Sequence, residues 1–480
     1  MTLLILDIGS SSVRTLLFDE RAHLIPDAVV RRETPFIVRE GGAAEIEAEL
    51  LRHLVEACMD EVLAHPAASS ISAVGMTTLV GNLIGVDAAG ELITPIYTYA
   101  DTRSAEAAAA LAQEIDAEAL HQRTGCPIHS AYHPAKLRWL QQTRPELWRK
   151  AHRWLDFGTY LYQQWFGGVI PCSYSVASWS GLLNRASLTW DHTWLSVLGV
   201  QPDHLSPLAD YNALQRGLND SYARRWPVLR ELPFALAVGD GAAANIGSGA
   251  IQPGAAALTL GTTAALRRVS LETLPAVPHG LWSYRIDARH HLIGGATNEG
   301  GNIFRWLREK LHLPDHASLE AELLKRAPDS HNLTFLPLFA GERSPGWRLD
   351  AVGTIHGLHL STEPLDIVQA ALEGVALRLA MIDSQFEMPS SKVIASGGAL
   401  ENSRAWTQIM ADALALPITL LAEQELSARG VAVLLLAADG HSLTGFPPRQ
   451  LEMIQPRGAG ISALKTARER QAELYRRLYL

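Results

Sequence analysis

Residues 3–18 read Leu-Leu-Ile-Leu-Asp7-Ile-Gly-Ser-Ser-Ser-Val-Arg-Thr-Leu-Leu-Phe18, two apolar runs separated by a small polar tetrapeptide. Short apolar runs on either side of such a turn predict a β-hairpin. The pattern returns in residues 255–269, which read Ala-Ala-Ala-Leu-Thr-Leu-Gly261-Thr-Thr-Ala-Ala-Leu-Arg-Arg-Val. Each hairpin precedes further strands that alternate with helices. We therefore predict a diverged internal repeat, in which two α/β domains follow one another along the chain.

The remaining segments supply the other elements of each half. Helical spacing of apolar residues predicts helices at 45–64, 104–115, 299–311, 365–381, 403–414 and 466–480. Shorter apolar runs predict strands at 71–76, 83–86 and 393–395. Residues 117–235 fit neither half, and they hold the eight of the chain's 12 tryptophans that lie between Trp139 and Trp226. We predict that this segment is an insertion on the first domain.

Composition narrows the class of protein. The chain has 480 residues, of which 48% are hydrophobic and 19% charged, so a disordered chain is excluded. The net charge is −9 and no Lys/Arg block stands out, which argues against nucleic-acid and membrane partners. The longest apolar runs are far shorter than the ~20 residues of a membrane-spanning helix. Cys58, Cys126 and Cys172 are widely spaced, so we expect no disulfides and a cytoplasmic location.

The two hairpin turns carry chemistry that suits phosphate. Gly and Ser at 9–12 leave backbone amides and hydroxyls free to hold phosphate oxygens, and Asp7 beside them suits Mg²⁺. Gly261-Thr262-Thr263 offers the same groups from the other half. Two such turns facing across a cleft would grip one triphosphate from both sides. The alternative for the first turn is a solvated hairpin with a capping aspartate.

Asp240 is the strongest candidate for a catalytic group. It ends an apolar run and is followed by small residues that open a helix, so it is either a helix N-cap or a general base for phosphoryl transfer. Gly239, Gly241 and Ala244 also satisfy a loose dinucleotide fingerprint, but the acidic residue expected about 20 positions later is missing. Ser396-Gly-Gly-Ala399 permits close approach of a flat ligand such as adenine, or simply a tight turn.

The motifs together resemble those of the FGGY carbohydrate kinases, which have the actin-like (ribonuclease H-like) ATPase fold. The resemblance runs in order along nearly the whole chain. The matching stretches are Asp7–Arg14, Tyr99–Arg103, Tyr132–Leu140, Gly239-Asp240, Leu260–Thr263, Gly353–Leu358 with Asp366–Glu373, Ser396–Asn402 and Glu425–Gly430. It implies an α/β protein of two actin-like domains with a cleft between them: residues 1–248, sugar-binding, with the insertion at about 117–235, and residues 249–480, nucleotide-binding.

The resemblance also implies roles for individual residues. ATP and Mg²⁺ are the expected cofactors, with Asp240 as the base that deprotonates the substrate hydroxyl. The residues expected to bind the nucleotide are Ser10, Ser11, Ser12, Arg14, Gly261, Thr262, Thr263, Gly397, Gly398, Ala399 and Asn402. Asp7 and Asp240 are expected at the metal. The residues expected at the sugar are Thr78, Asn82, Tyr132, Asp240, Asn298 and Glu299.

The substrate itself stays open at this point. Xylulokinases and many gluconate kinases carry Met-His, and glycerol kinases Arg-Glu, where this chain has Val80-Gly81. Residues 180–184, 298–302 and 340–345 are most similar to the gluconate-kinase branch. Arg343 in the last stretch either serves a sugar acid or forms a structural ion pair. We expect a small sugar, sugar acid or polyol as substrate, with some tryptophans of the insertion stacking on it and most packing in the core.

Two other functions remain as alternatives. A family member without activity could act as a sugar sensor, although the intact Asp7, Asp240 and phosphate turns argue against it. An ATPase acting on protein partners would need a peptide-binding domain after the second half, and only about 40 residues follow Gly440. Dimers are common in such a family, so a homodimer is an open expectation, although no coiled coil demands one.

Overall fold

The computed structural model describes residues 1–272, 274–438 and 440–480. The strands are β1 Thr2–Ile8, β2 Ser12–Asp19, β3 Leu24–Glu33, β4 Phe36–Arg39, β5 Ala43–Ile46, β6 Ile71–Thr78, β7 Ile84–Val86, β8 Ile96–Tyr97, β9 Arg153–Leu155, β10 Cys172–Ser173, β11 Leu183–Asn184, β12 Thr189–Trp190, β13 Leu208–Ala209, β14 Val238–Gly239, β15 Ala255–Leu260, β16 Ala264–Ser270, β17 Trp282–Arg285, β18 His291–Thr297, β19 Thr334–Leu336, β20 Thr354–His356, β21 Lys392–Ser396, β22 Ile418–Leu421 and β23 Gln450–Ile454.

The helices are α1 Ala48–Val62, α2 Ala105–Glu114, α3 Ala117–Thr124, α4 His133–Thr143, α5 Pro145–Lys150, α6 Phe157–Phe166, α7 Tyr174–Trp179, α8 His192–Leu198, α9 Asp220–Arg225, α10 Asp240–Gly247, α11 Gly301–Lys310, α12 His316–Lys325, α13 Pro364–Asp383, α14 Gly398–Glu401, α15 Arg404–Leu414, α16 Leu426–Ala438 and α17 Gly458–Tyr479. Most predicted elements are found within a few residues of their predicted bounds. The helix predicted at 45–64 begins later, because residues 43–46 form strand β5.

Two sheets repeat one topology. The first has the order β3-β2-β1-β6-β14, and the second contains the run β18-β16-β15-β21-β22. In each sheet the first three strands are antiparallel, and the last two run parallel to the hairpin's first strand. The predicted internal repeat of two α/β domains is therefore confirmed. The second sheet adds β17 at one edge and β23 at the other.

Helices α10 and α16 join the halves. They cross so closely that a Cβ on Gly430 would overlap the carbonyl of Ala243, and one on Gly247 would overlap the carbonyl of Leu426. Although α16 comes late in the chain, it buries apolar side chains against β1, β2 and β6 of the first sheet. The predicted boundary between residues 248 and 249 lies in the short connection between α10 and β15, and it stays a prediction.

The segment at 117–235 forms small helices and two-stranded ladders, whose apolar side chains pack partly in the core of the first sheet and partly in a separate cluster. Trp165 and Trp226 meet edge-on, with ring centroids 5.1 Å apart, and Trp194 is buried among leucines. Cys58, Cys126 and Cys172 are free thiols, all buried. Within the described ranges, no helix combines the length and apolar character needed to cross a bilayer.

Candidate active site

A cavity of about 250 Å³ lies between the two halves. Four of the predicted residues line it: Ser10, Tyr132 and Asp240 from the first half, and Thr263 from the second. The sheet topology explains why residues of both halves line one cavity, because both hairpin turns and the start of α10 lie at strand ends that face the same cleft.

Asp7 occupies the penultimate position of β1, in register with Arg14 on one side and Thr77 on the other. Its carboxylate is buried, and its Oδ2 lies 2.8 Å from Arg14 Nη2 without the geometry of a hydrogen bond, so that oxygen has no hydrogen-bond partner. Arg14 also pairs with Glu425, which precedes α16. Burial raises the pKa of Asp7 to about 7; Arg14 opposes this, while Glu425 and Asp240 add to it.

Asp240 is the first residue of α10, and Gly239 occupies the N-cap position. Its Oδ1 accepts a hydrogen bond from the Gly241 backbone N–H at 2.7 Å. Burial raises the pKa of the carboxyl, against the lowering effects of that N–H and of the guanidinium groups of Arg267 and Arg14. The group therefore opens onto the cavity as an acceptor that is more basic than a solvent-exposed aspartate.

The donor set of Asp7 and Asp240 fits a magnesium ion. The negative charge of Asp240 adds to the effect of burial in raising the pKa of Asp7. One Asp7 oxygen is buried without a hydrogen bond. Mg²⁺ is commonly held by one or two carboxylates together with substrate phosphates, and a cation would offset the repulsion between these two acids.

The two hairpin turns are built alike. In the first, the Gly9 N–H donates to the Ser12 carbonyl at 3.0 Å; in the second, the Gly261 N–H donates to the Thr263 carbonyl at 3.0 Å. Ser11, Thr262 and Thr263 are exposed, whereas Ser12 is buried with a hydroxyl that lacks a partner. Both turns thus present small polar residues toward the cleft.

A second pocket, of about 570 Å³, lies on the second half beside the Gly261 turn. Five of the predicted nucleotide residues line it: Gly261, Thr262, Gly398, Ala399 and Asn402. Sequence reasoning missed its apolar and charged walls, formed by Phe304, Arg305, Arg308, Leu372 and Trp406. Gly397 lies next to the pocket with φ +107°, and a side chain there would overlap the carbonyl of Leu260.

Four of the predicted sugar residues lie outside the cavity lining. Thr78 is buried at the end of β6 with an unpartnered hydroxyl. Asn82 is used structurally: its amide donates to the Leu79 carbonyl at 2.6 Å, and its Oδ1 accepts from the Phe157 N–H at 2.7 Å.

Asn298 and Glu299 both hold the loop that follows β19. The Asn298 amide donates to the Ala340 carbonyl at 2.8 Å, and Glu299 Oε1 accepts from the Ala340 N–H at 2.7 Å. Burial raises the pKa of Glu299 to about 7. A role of these residues at the sugar stays a prediction.

An aromatic wall that the sequence did not reveal completes the cavity. Tyr284 stacks on Trp179 at a centroid distance of 3.7 Å and on Trp282 at 4.4 Å. The Tyr132 and Tyr284 hydroxyls lie 2.6 Å apart. Of the eight tryptophans between Trp139 and Trp226, Trp179 lines this cavity. Within the described part of the chain, the indole N–H groups of Trp179 and Trp282 are buried without hydrogen-bond partners, so they are available to a polar ligand.

Two arginines, Arg267 of β16 and Arg343 of the loop before β20, also line the cavity. Arg343 had been singled out by sequence. Arg267 was not predicted from sequence, although its charge within the apolar run 264–269 could have indicated a functional residue.

The family model for the N-terminal domain of the FGGY family of carbohydrate kinases matches residues 2–247, and the model for the C-terminal domain matches residues 256–438. The chain belongs to the FGGY family of carbohydrate kinases. Gluconokinase of Bacillus subtilis (strain 168) is 29% identical over 458 residues, which cover 91% of this chain and 87% of that protein.

Two solved structures share the fold of this FGGY kinase. Xylulose kinase from Lactobacillus acidophilus superposes with a TM-score of 0.92 at 24% identity and covers 99% of this chain and 98% of its own. Gluconate kinase from the same organism gives a TM-score of 0.91 at 24% identity, with the same coverage. The predicted fold of two actin-like domains around a cleft is confirmed.

Family membership also confirms the predicted activity. This FGGY kinase is an ATP-dependent phosphotransferase that acts on a hydroxyl of a small carbohydrate, whether sugar, sugar acid or polyol. ATP is therefore its phosphoryl donor.

Proposed function

We propose that Asp240 is the general base of this kinase and that the reaction takes place in the interdomain cavity. The observation that carries the proposal is that one cavity brings Asp240 together with Ser10 of the first turn and Thr263 of the second. A base must lie beside the hydroxyl while the turns hold the phosphates, and this cavity offers both groups.

The step transfers a proton and a phosphoryl group. The carboxylate of Asp240 accepts the proton of the substrate hydroxyl as its oxygen attacks the γ-phosphorus. The bond from that phosphorus to the bridging oxygen breaks, and ADP leaves with the electron pair. The raised pKa of Asp240 makes it a better base than an exposed aspartate, since its ionised form gains by taking the proton.

The two turns and the two acids would bind the phosphates and their metal ion. Amides and hydroxyls of residues 9–12 and 261–263 would hold the phosphates, with Arg14 beside the first turn. Asp7 and Asp240 would hold Mg²⁺, which neutralises charge on the transferred group when bound. Because Arg14 is paired with both Asp7 and Glu425, it orients Asp7 at the cleft.

The second pocket would take the nucleoside. Its volume and its walls of Phe304, Leu372 and Trp406 suit a flat base, while Gly398 and Asn402 border it. The pocket adjoins the Gly261 turn, so a nucleoside placed there directs its phosphates toward the cavity. Closure of the halves around both ligands would exclude water, which otherwise competes for the phosphoryl group.

The substrate in this proposal is a small carbohydrate, and the stacked rings of Trp179 and Tyr284 would face its C–H groups. We also propose a cytoplasmic location, which three free thiols suit. A homodimer stays a prediction, and analytical ultracentrifugation tests it.

The test is ADP release with and without a panel of sugars, sugar acids and polyols. Release stimulated by a panel member, together with a phosphorylated product, is the expected result. Sugar-independent release would instead indicate an ATPase, and binding of a panel member without release would indicate the sensor.

A further inference from the structure

Arg267 and Arg343 are two cations that line the cavity, and Asp240 is the acid whose charge acts on Arg267. Arg267 Nη1 donates to the Thr259 hydroxyl at 3.1 Å, and its Nε is buried with no hydrogen bond. Among the residues that the structure describes, no carboxylate lies within ion-pair distance of either guanidinium. The sequence left two roles open for Arg343, and the absence of an ion pair removes the structural one.

The loop that carries Arg343 is fixed against the aromatic wall. The Ser344 N–H donates to the Ala296 carbonyl of β18 at 3.0 Å. The Trp347 ring packs on His129, with centroids 5.3 Å apart, and lies 6.5 Å from Tyr132. Arg343 is thus held in place while its charged head remains available to a ligand in the cavity.

Asp240, Arg267 and Arg343 line the same cavity, and their charges act on one another. Arg267 and Arg14 are the cations that act on Asp240. Arg343 acts on Arg267, and also on His129, Tyr132 and Tyr284 at the aromatic wall. Burial lowers the pKa of Arg267 to about 10, so it remains a cation at neutral pH.

Two cations in a partly desolvated cavity favour an anionic ligand. A carboxylate that meets Arg343 would also be attracted by Arg267, whereas a neutral polyol would leave Arg343 without an anion. The reacting hydroxyl must lie at Asp240, so the anionic group belongs at the other end of the molecule. In the proposed function, the two turns and Arg14 would bind the nucleotide phosphates, so these phosphates do not need Arg343.

We propose that Arg343, assisted by Arg267, binds the carboxylate of an open-chain polyhydroxy acid whose terminal hydroxyl lies at Asp240. This inference rests on the proposed function and narrows its substrate class to sugar acids. Carboxylate and phosphate share the same chemistry toward arginine, so the experiment must separate a sugar-acid carboxylate from a nucleotide phosphate.

The experiment compares aldonic acids of four to six carbons, gluconate among them, with the alditols of the same chain. Calorimetry measures their binding without nucleotide, and ADP release measures turnover. The wild-type protein is expected to prefer an acid over its alditol. Arg343→Gln is expected to weaken binding of that acid about 10–100-fold and to leave ADP binding unchanged. Arg343→Lys, which keeps the charge, is expected to restore part of the loss.

The matched control is Arg348→Gln, since Arg348 lies five residues further along and pairs with the exposed Asp350. It should leave acid binding unchanged. An alditol or other neutral sugar preferred by the wild-type protein would overturn the inference and leave the proposed function intact. Weaker ADP binding in Arg343→Gln with unchanged acid binding would overturn it in favour of a phosphate contact. If no panel member stimulates ADP release, the proposed function fails as well.

Discussion

The two hairpins share a topology and a turn but differ in the residues beside the turn. Asp7 of β1 faces Arg14 of β2, while at the matching place in the second half Thr259 of β15 faces Ala265 of β16. The first hairpin thus offers a carboxylate and the second a hydroxyl. The Thr259 hydroxyl binds Arg267, so the second hairpin supports a cation instead of an acid.

Helices α10 and α16, which join the two halves, also differ in the acidic residue at their start. In the first half α10 begins with Asp240, whose side chain opens onto the cavity. In the second half Glu425 precedes α16 and is neutralised by Arg14. The first half therefore contributes Asp240 to the cavity and Asp7, paired with Arg14, beside its turn. The second half contributes Arg267 and Arg343 to the cavity and carries the second pocket. The comparison shows that the two halves share a strand topology and differ in the charged residues beside their turns, so we expect them to perform different tasks.

Replacing the free acid of the first half should have the largest effect. Asp240→Asn keeps the size of the side chain but cannot accept the proton, so kcat should fall by about 10²–10⁴-fold. Binding of ADP, measured by calorimetry, should remain. Steady-state ADP release with the best panel substrate measures kcat.

The control for this variant is Asp203→Asn, an exposed aspartate on a short 3-10 helix. It should retain wild-type turnover. Near-normal turnover of Asp240→Asn would show that the base assignment is wrong.

Asp7→Asn removes the acid that the second hairpin lacks. Loss of a carboxylate ligand should raise the half-saturating Mg²⁺ concentration about 10–100-fold or more. The same substitution should stabilise the metal-free folded protein at higher pH. The folded protein keeps a proton on Asp7 between pH ~4 and about 7 that the unfolded chain releases, so wild-type stability falls as pH rises through that window.

In the asparagine variant that loss is absent, so without metal it should gain stability over the wild type as pH rises from 4 to 8. Urea unfolding at several pH values measures the gain, with Asp203→Asn as the reference. A constant difference across this pH range would mean that Asp7 titrates normally.

The contact between the halves can be broken at its closest point. In Gly430→Ala the new methyl group would overlap the Ala243 carbonyl, and backbone atoms cannot rotate away. We expect a loss of about 1–3 kcal/mol in the free energy of unfolding, measured with urea. Gly458→Ala, at the open start of α17, is the matched control and should cost nothing similar. Equal stability of both variants would exclude so close a crossing of α10 and α16.

The features that could be predicted from sequence are those that a short local pattern of residues encodes. A strand end next to small residues marks each of these features: the two hairpins, the Gly261 turn, Asp240 and the Gly398 segment. Each could therefore be identified without knowing which distant residues it contacts. Strand order could not be read in this way, and neither could the packing of α16 on the first sheet, since both depend on contacts between residues far apart in sequence.

The walls of the cavity were missed for a related reason. Trp179 comes from the insertion, whereas Trp282 and Tyr284 come from an added edge strand of the second half. Nothing in either segment alone indicates that these rings stack. Sequence also could not show that the Asn82 side chain forms hydrogen bonds with the backbone of Leu79 and Phe157, and its predicted role at the sugar stays a prediction.

The smallest expected effect tests the second hairpin directly. Thr259→Val removes the acceptor of the Arg267 Nη1 hydrogen bond but keeps the shape of the side chain. Loss of one such bond is worth about 1 kcal/mol, so KM for the carbohydrate should rise about fivefold. The half-saturating Mg²⁺ concentration should stay unchanged, because Thr259 supports Arg267, which we propose to bind the carbohydrate. Thr466→Val on the exposed side of α17 controls for the loss of a hydroxyl. If Thr259→Val instead weakened Mg²⁺ as Asp7→Asn does, the two hairpins would perform one task, and the division of labour between the halves would be wrong.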